Sequence, residues 1–241
     1  MRSDSAPKMR SRKVGRPRAG DQQGSGDPVA DILDAAAAMF CSIGYTATST
    51  RQIADAAGLR QPSLFHYFER KDDILAELLD RTVQPALAVL SWLDTVDREP
   101  DVVLATLLRA DVANIVALPH NLGTLILLPE SRSPQFQRFQ DQRMALWHHY
   151  HGLVTASMAA GRLDANDPAF ATNLLFGLVE SVITWSPADS GVHSGDVGTE
   201  YARFALRALV HDRRHVLRLL NESRELLTLA PAELGLHVPK L

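Results

Sequence analysis

Apolar residues recur at helical spacing from residue 28 onward, and the polar breaks between the apolar runs carry recognisable start and stop signals. Val29, Ile32, Leu33, Ala36 and Phe40 lie on one face of a first predicted helix. Asp27 and Pro28 open it, since the carboxylate caps an exposed amide and proline loses no donor in a first turn. Gly44 supplies the left-handed stop. Ser49 and Gln52 stand at the spacing of a reciprocal capping box and open a second helix that turns Ile53, Ala54 and Ala57 inward. Gly58 breaks that helix, Leu59 plugs the bend, and a third segment is predicted from Gln61 to Phe68. Leu64 and Phe68, four apart, pack back on Ile53 and Ala57, so the three segments form a helix-turn-helix.

The pattern stays helical to the C-terminal end, with no competing strand alternation. Helices are predicted over Asp72 to Val96, Asp101 to Leu118, Leu122 to Leu128, Pro134 to Ala160, Pro168 to Trp185, Thr199 to Val210 and residues 212–229. Pro100, Pro119, Pro129, Pro134 and Gly161 punctuate them, and Ser186 to Gly198 reads as a mobile loop. Phe170 to Trp185 is apolar on nearly every face, which calls for cover on both sides. A second subunit supplies the outer cover if Leu174, Leu178, Glu180 and Val182 meet a partner together with Tyr201, Phe204 and Ala208; burial within one subunit is the alternative.

Composition narrows the class. The 241 residues are 46% apolar and 22% charged, ordinary globular usage that excludes a fibrous or wholly disordered chain. A lone cysteine, Cys41, excludes an intramolecular disulfide and a cysteine-based zinc site. Apolar runs such as Leu174 to Val179 are too short to cross a bilayer, so a reducing cytoplasm and no membrane are expected. The net charge of −3 conceals an asymmetry: residues 1–26 hold seven Lys and Arg against two Asp, a local +5, leaving −8 for the remainder. This arm has almost no apolar residue and is expected to be disordered until it meets a polyanion. Arg16 and Arg18 flank Pro17 on a stiff extended stretch suited to phosphate or to the narrow minor groove of A·T-rich DNA.

Catalytic chemistry finds no foothold. Nucleophile elbow, phosphate-binding glycine loop and paired catalytic carboxylates are all missing from the sequence, so no enzyme and no cofactor is expected. His148 and His151 can share a helix face, which leaves a helical metal-dependent protein as an alternative, but no HExxH or facial-triad spacing completes a site and no metal is expected. On the same helix Met144, Trp147 and Tyr150 are candidates to line a pocket, with Asp111, Ile115, Leu127 and Phe176 as neighbours; a core role is open for each.

Gly44-Tyr45 through Thr48-Ser49, then Ile53-Ala54, Ala57-Gly58-Leu59, and Leu64-Phe65-His66-Tyr67-Phe68 with Lys71 beyond resemble the tetracycline-repressor (TetR) family. The resemblance is at motif strength over residues 28–80. It implies an all-α fold: an N-terminal three-helix helix-turn-helix domain at residues 27–71 and a larger C-terminal helical domain for ligand binding and dimerisation at residues 72–241, to which the helix over residues 212–229 adds a C-terminal extension. It further implies a homodimer on a palindromic double-stranded operator, released by a small molecule. A DNA-binding regulator without a small effector is the alternative.

In such an architecture the third helix enters the major groove, where Arg60 suits guanine, Gln61 suits adenine, and Ser63 and His66 reach base edges. Phe65 has two roles open, a thymine methyl contact or packing beneath the helix. The resemblance places phosphate clamps at Thr48, Tyr67 and Lys71, although Lys71 also has Asp72 and Asp73 as candidate surface partners. The family commonly has a small hydroxyl residue and a glycine where this chain has Arg60 and Pro62, so its operator contacts differ accordingly.

The arm generates the first prediction. Removing residues 2–19 weakens DNA binding and flattens the slope of log K against log salt by about 0.9 for each phosphate that the shortened chain no longer neutralises. Filter binding across a salt series measures it, and an unaltered slope identifies a passive tail.

Overall fold

The computed structural model describes residues 26–185 and 197–236. The basic arm with Arg16 and Arg18, and loop residues 186–196, lie outside the described residues. Among the described residues every regular element is helical.

Helix α1 (Pro28–Ile43) is capped by the Asp27 carboxylate, which accepts from the Val29 amide at 2.9 Å, and it ends at Gly44 with φ of 92°. Helix α2 (Thr50–Ala56) opens with both halves of the Ser49–Gln52 capping box in place. Helix α3 (Gln61–Leu64) is shorter than the predicted span to Phe68. Its continuation tightens into three-residue turns, with the His66 amide on the Ser63 carbonyl at 3.2 Å and the Tyr67 amide on Leu64 at 2.9 Å. Ile32, Leu33, Phe40, Ile53, Ala54 and Leu64 close one small core among the three helices.

Helix α4 (Lys71–Leu93) leads from this unit into the body. It stops short of the predicted Val96 because the chain turns through Thr95 and Val96 with amides bonded three residues back. Helix α5 (Pro100–Ala117) is the axis of the body, buried on almost every face because α4, α6 (Gln137–Ala159), α8 (Val197–Leu209) and α9 (Arg213–Thr228) all pack against it. Helix α7 (Pro168–Ser181) lies on α6 and runs into a short 3-10 turn. Helix α8 starts two residues earlier than predicted: Gly198 is buried in its first turn, where a Cβ would collide with the Arg109 carbonyl. Only glycine allows that approach.

Two buried charged side chains tie α5 to its neighbours. Asp101 has no exposure and accepts from His215 at 2.7 Å and from Arg162 at 3.2 Å, joining α5 to α9 and to the turn after α6. Arg109 donates to the Leu220 carbonyl and the Ser223 hydroxyl, which pins α9 a second time. The C-terminal helix is therefore part of the core rather than an appendage.

The junction between the helix-turn-helix and α4 rests on one cation. Lys71 donates to the carbonyls of Tyr45 and Thr48 at 2.8 and 2.9 Å, and its ammonium sits 4.1 Å from the centre of the Tyr45 ring. The Tyr45 hydroxyl donates to Asp72. Lys71→Met leaves both carbonyls without that donor, and we expect a loss of about 1–3 kcal/mol in urea unfolding followed by tryptophan fluorescence. An unchanged midpoint would mean the ammonium adds nothing to the junction.

Candidate DNA-contacting surface and ligand cavity

Arg60, Phe65, His66 and Tyr67 are exposed around α3 and the turn that follows it. Phe65 is 44% exposed, so it does not pack beneath the helix. Pro62 is exposed in the first turn and Ser63 is half-buried. Gln61 is also half-buried, and its amide nitrogen donates to the Thr50 hydroxyl at 3.0 Å, tying α3 to α2. A bidentate contact to adenine would first have to break that bond.

Two of the residues that the resemblance marks as phosphate clamps are engaged in other ways. Thr48 is 1% exposed and its hydroxyl donates to the Gly44 carbonyl at 2.8 Å, so it holds the turn before α2. Lys71 is committed to the Tyr45 and Thr48 carbonyls, and neither Asp72 nor Asp73 pairs with it. Tyr67 is 46% exposed.

In the body, a cavity of 260 Å³ opens between α6, α7 and the chain before α6. Phe139, Met144, Trp147, Phe176 and Ile126 form its apolar wall, and Ser131, Arg132, Gln140 and Arg143 its polar one. Three predicted lining residues, Met144, Trp147 and Phe176, are among them. Trp147 is held by its indole N–H on Asn173 at 2.9 Å.

Asp111 and Ile115 line a separate space of only 30 Å³, with Arg143 and Phe176 in the wall between the two. Tyr150 is fully buried, donates to Asp111 at 3.0 Å and packs edge-on against Phe176, so it is a core residue. Leu127 is 50% exposed and lines neither cavity, because the turn carrying it faces outward. Arg143, Arg132, Phe139 and Ile126 were not picked out from the sequence. Arg143 sits four residues before Trp147 on α6, a spacing that places both on one face.

Burial pushes the Asp111 carboxyl up to about 6; the Tyr150 hydrogen bond and Arg143 hold it down, while Glu180 pushes it further up. Burial, followed by the charge of Asp111, drives the Tyr150 phenol well above its ordinary value.

The chain between α5 and α6 touches both the cavity and the helix-turn-helix unit. It runs through 3-10 turns at Pro119–Leu127 and Pro129–Arg132. Ile126, Ser131 and Arg132 face the cavity. His120 bonds Asp34 of α1 at 2.8 Å, the Cys41 thiol approaches the Asn121 carbonyl at 3.9 Å, and Thr46 donates to Glu130 at 2.8 Å. His120 and Asn121 hold φ of 56° and 54°, a left-handed conformation that costs energy in residues other than glycine. No local pattern marks these contacts, since the partners are more than 75 residues apart.

The predicted subunit face divides in two. Phe170, Leu174 and Phe204 are 63%, 60% and 69% exposed, with Ala208 exposed and Leu178, Trp185 and Tyr201 half-buried beside them. Glu180 and Val182 do not belong to it. Glu180 turns inward to Arg143 at 2.5 Å, and Val182 is 3% exposed beneath the turn that ends α7. His148 and His151 flank Trp147, which stacks on His151 with centroids 5.0 Å apart and meets His148 edge-on at 5.3 Å. Among the described residues no three His, Cys, Asp or Glu side chains gather as metal ligands.

A helix-turn-helix joined to a helical body with an apolar-walled cavity defines the class, and comparison supplies the family. The model of bacterial regulatory proteins of the tetR family matches residues 32–78, and that of the tetracyclin repressor-like C-terminal domain matches residues 107–209. The crystal structure of Mycobacterium smegmatis AmtR is 35% identical, covers 92% of this chain and 100% of its own, and superposes with a TM-score of 0.73. The HTH-type transcriptional repressor KstR2 of Rhodococcus jostii is 41% identical over 63 residues, 26% of this chain and 31% of the relative. KstR2 of Mycobacterium tuberculosis is 30% identical over 130 residues, 48% of this chain and 61% of the relative. The matches thus span 31% to 61% of the length of these curated relatives. The chain belongs to the tetR family of bacterial regulatory proteins, as the motif around residues 44–71 implied.

Asp111 carries a pH signature. Folding raises its carboxyl from 3.8 to about 6, so the folded chain keeps a proton that the unfolded chain releases in that window. Its contribution is fully present below about pH 4 and is lost as pH rises through about 6. Asp111→Asn keeps an acceptor for Tyr150 and is expected to flatten the stability curve across this window, gaining on the order of 2–3 kcal/mol at pH 8. Urea midpoints of both proteins from pH 4 to 8 test it; parallel curves would mean Asp111 stays ionised in the folded chain.

Proposed function

We propose that this protein is a homodimeric, sequence-specific transcriptional repressor that binds a palindromic operator and is released from it by a small apolar or aromatic molecule. The supporting observation is the chain from Pro119 to Arg132, which lines the cavity with one side and bonds Asp34, Cys41 and Thr46 of the DNA-binding unit with the other. A ligand that favours a different seating of this segment shifts the DNA-binding unit by its differential affinity for the two seatings. Helix α4 carries the same displacement, because Lys71 fixes its start to the helix-turn-helix and Val83 borders the smaller cavity.

Residues 27–71 act as the DNA-binding domain and the rest of the body as the ligand and dimer domain. Arg60, Ser63, Phe65 and His66 are the base readers, with Tyr67 on phosphate. Gln61 joins them once its bond to Thr50 is exchanged for a base. The face of Phe170, Leu174, Leu178, Tyr201, Phe204 and Ala208 is covered by a second copy of the chain, which sets the two recognition helices about 34 Å apart, one turn of B-DNA. Such a regulator works in the cytoplasm beside its DNA and carries out no catalysis. The 260 Å³ cavity favours this reading over a regulator without an effector.

Selecting bound duplexes from a random pool tests the reading. It should return a palindrome, and Arg60→Ala should cost about 1–3 kcal/mol while relaxing preference at one position in each half-site. A uniform loss over all sequences would reassign Arg60 to phosphate, and a pool with no enriched sequence would overturn sequence-specific binding.

A further inference from the structure

The neutral donors on the polar wall of the 260 Å³ cavity are already engaged, and the donors that remain are cationic. Ser131 donates to the Ile126 and Leu128 carbonyls, and Gln140 donates to those of Ser131 and Ser133. These bonds hold the turn in shape. The Trp147 indole N–H is taken by Asn173. Two guanidinium groups are left. Arg143 has one nitrogen on Glu180 at 2.5 Å, with its guanidinium carbon 5.8 and 5.6 Å from the ring centres of Phe139 and Phe176. Arg132 is exposed and joins no ion pair among the described residues.

Among the described residues no carboxylate lines this cavity; Glu180 and Asp111 border the smaller space behind Arg143. A cationic guest would meet two like charges, and a neutral one would leave Arg132 with water as its only partner. An organic anion answers both the charge and the aromatic wall, because guanidinium pairs with carboxylate in a planar, forked geometry. At 260 Å³ the chamber encloses about one ring or a short branched chain, below the roughly 300–1,000 Å³ of drug-sized sites. Any larger molecule has to extend out of the cavity into solvent.

Building on the reading of this cavity as the effector site, we propose that its ligand is a small amphipathic carboxylic acid. Its ring or branched end packs among Phe139, Met144, Trp147 and Phe176, and its carboxylate is held by Arg132 and Arg143. The acid shares Arg143 with Glu180, and the Arg132 turn closes on it from the segment that also carries Glu130, the partner of Thr46.

Calorimetry on the full-length protein tests the proposal with phenylacetate and 3-phenylpropionate, each beside its amide and its amine. The acids should bind at least tenfold more tightly than the amides, with the amines weakest. Arg132→Gln should erase most of that preference without moving the thermal midpoint, since the side chain is exposed. Arg143→Lys keeps the charge without the fork and should retain part of the preference. Equal binding across the series, preference for the amines, no binding by any member, or an acid preference undiminished in Arg132→Gln would each overturn it. The measurement contains no DNA, so an acid that binds without weakening operator binding supports this site and counts only against the release reading.

Discussion

Two backbone carbonyls in the turn between α1 and α2, those of Tyr45 and Thr48, face the start of α4, and the Lys71 ammonium serves both. Buried carbonyls must be paired, and a lysine at the first position of α4 does so only when that helix leaves in one direction. The Tyr45 ring fixes the cation from one side while its hydroxyl returns a bond to Asp72, so a single turn of α4 is held by ring, charge and backbone together. The angle between the helix-turn-helix and the body follows from that arrangement. Any displacement of the body that reaches α3 has to pass through this clasp or around it.

One way around it exists. The chain between α5 and α6 crosses from the cavity wall to α1 and to the turn before α2, and it does so with two consecutive residues in left-handed conformations. The bonds of His120 to Asp34 and of Asn121 to the Ile183 carbonyl oppose that conformational cost. The segment is short, lacks the regular hydrogen bonding of an α-helix, and is anchored at both ends to different parts of the molecule. Elements of this kind change seating at lower cost than packed helices do. The body behind it is the opposite: α5 is enclosed by four helices, and its buried Asp101 and Arg109 are tied to α9. A frame held by buried ion pairs next to a strained connector is the arrangement that the proposed release by a ligand requires.

The same economy of charge is visible at the cavity. Glu180 and Asp111 lie behind Arg143, where one guanidinium cannot compensate both, and burial raises the Asp111 carboxyl. In front of Arg143 the balance reverses, with Arg132 added and no acid facing it. The wall of Arg143 and Phe176 thus separates an acidic space from a cationic one, and only the second is large enough for an organic guest.

Local signals in the sequence determined the local structure. Asp27 with Pro28, the Ser49–Gln52 box and Gly58 act within four residues of themselves, and the elements they predict form there. Apolar spacing likewise determined the all-helical class, and the motif from Gly44 to Lys71 determined the family. What the side chains at those positions do was decided by distant partners. Thr48 and Lys71 carry the residue types of phosphate clamps, yet the fold turns one onto Gly44 and the other onto two carbonyls. Glu180 reads as a subunit-interface residue in an apolar helix until α6 brings Arg143 to it across 37 residues, and Leu127 has the composition of a pocket residue on a turn that faces outward. The bonds from Asp34 to His120 and from Thr46 to Glu130 span more than 80 residues. Capping and periodicity are short-range and can be read along the chain, whereas the pairing of a charge depends on which helix lies opposite, and only the tertiary structure decides that.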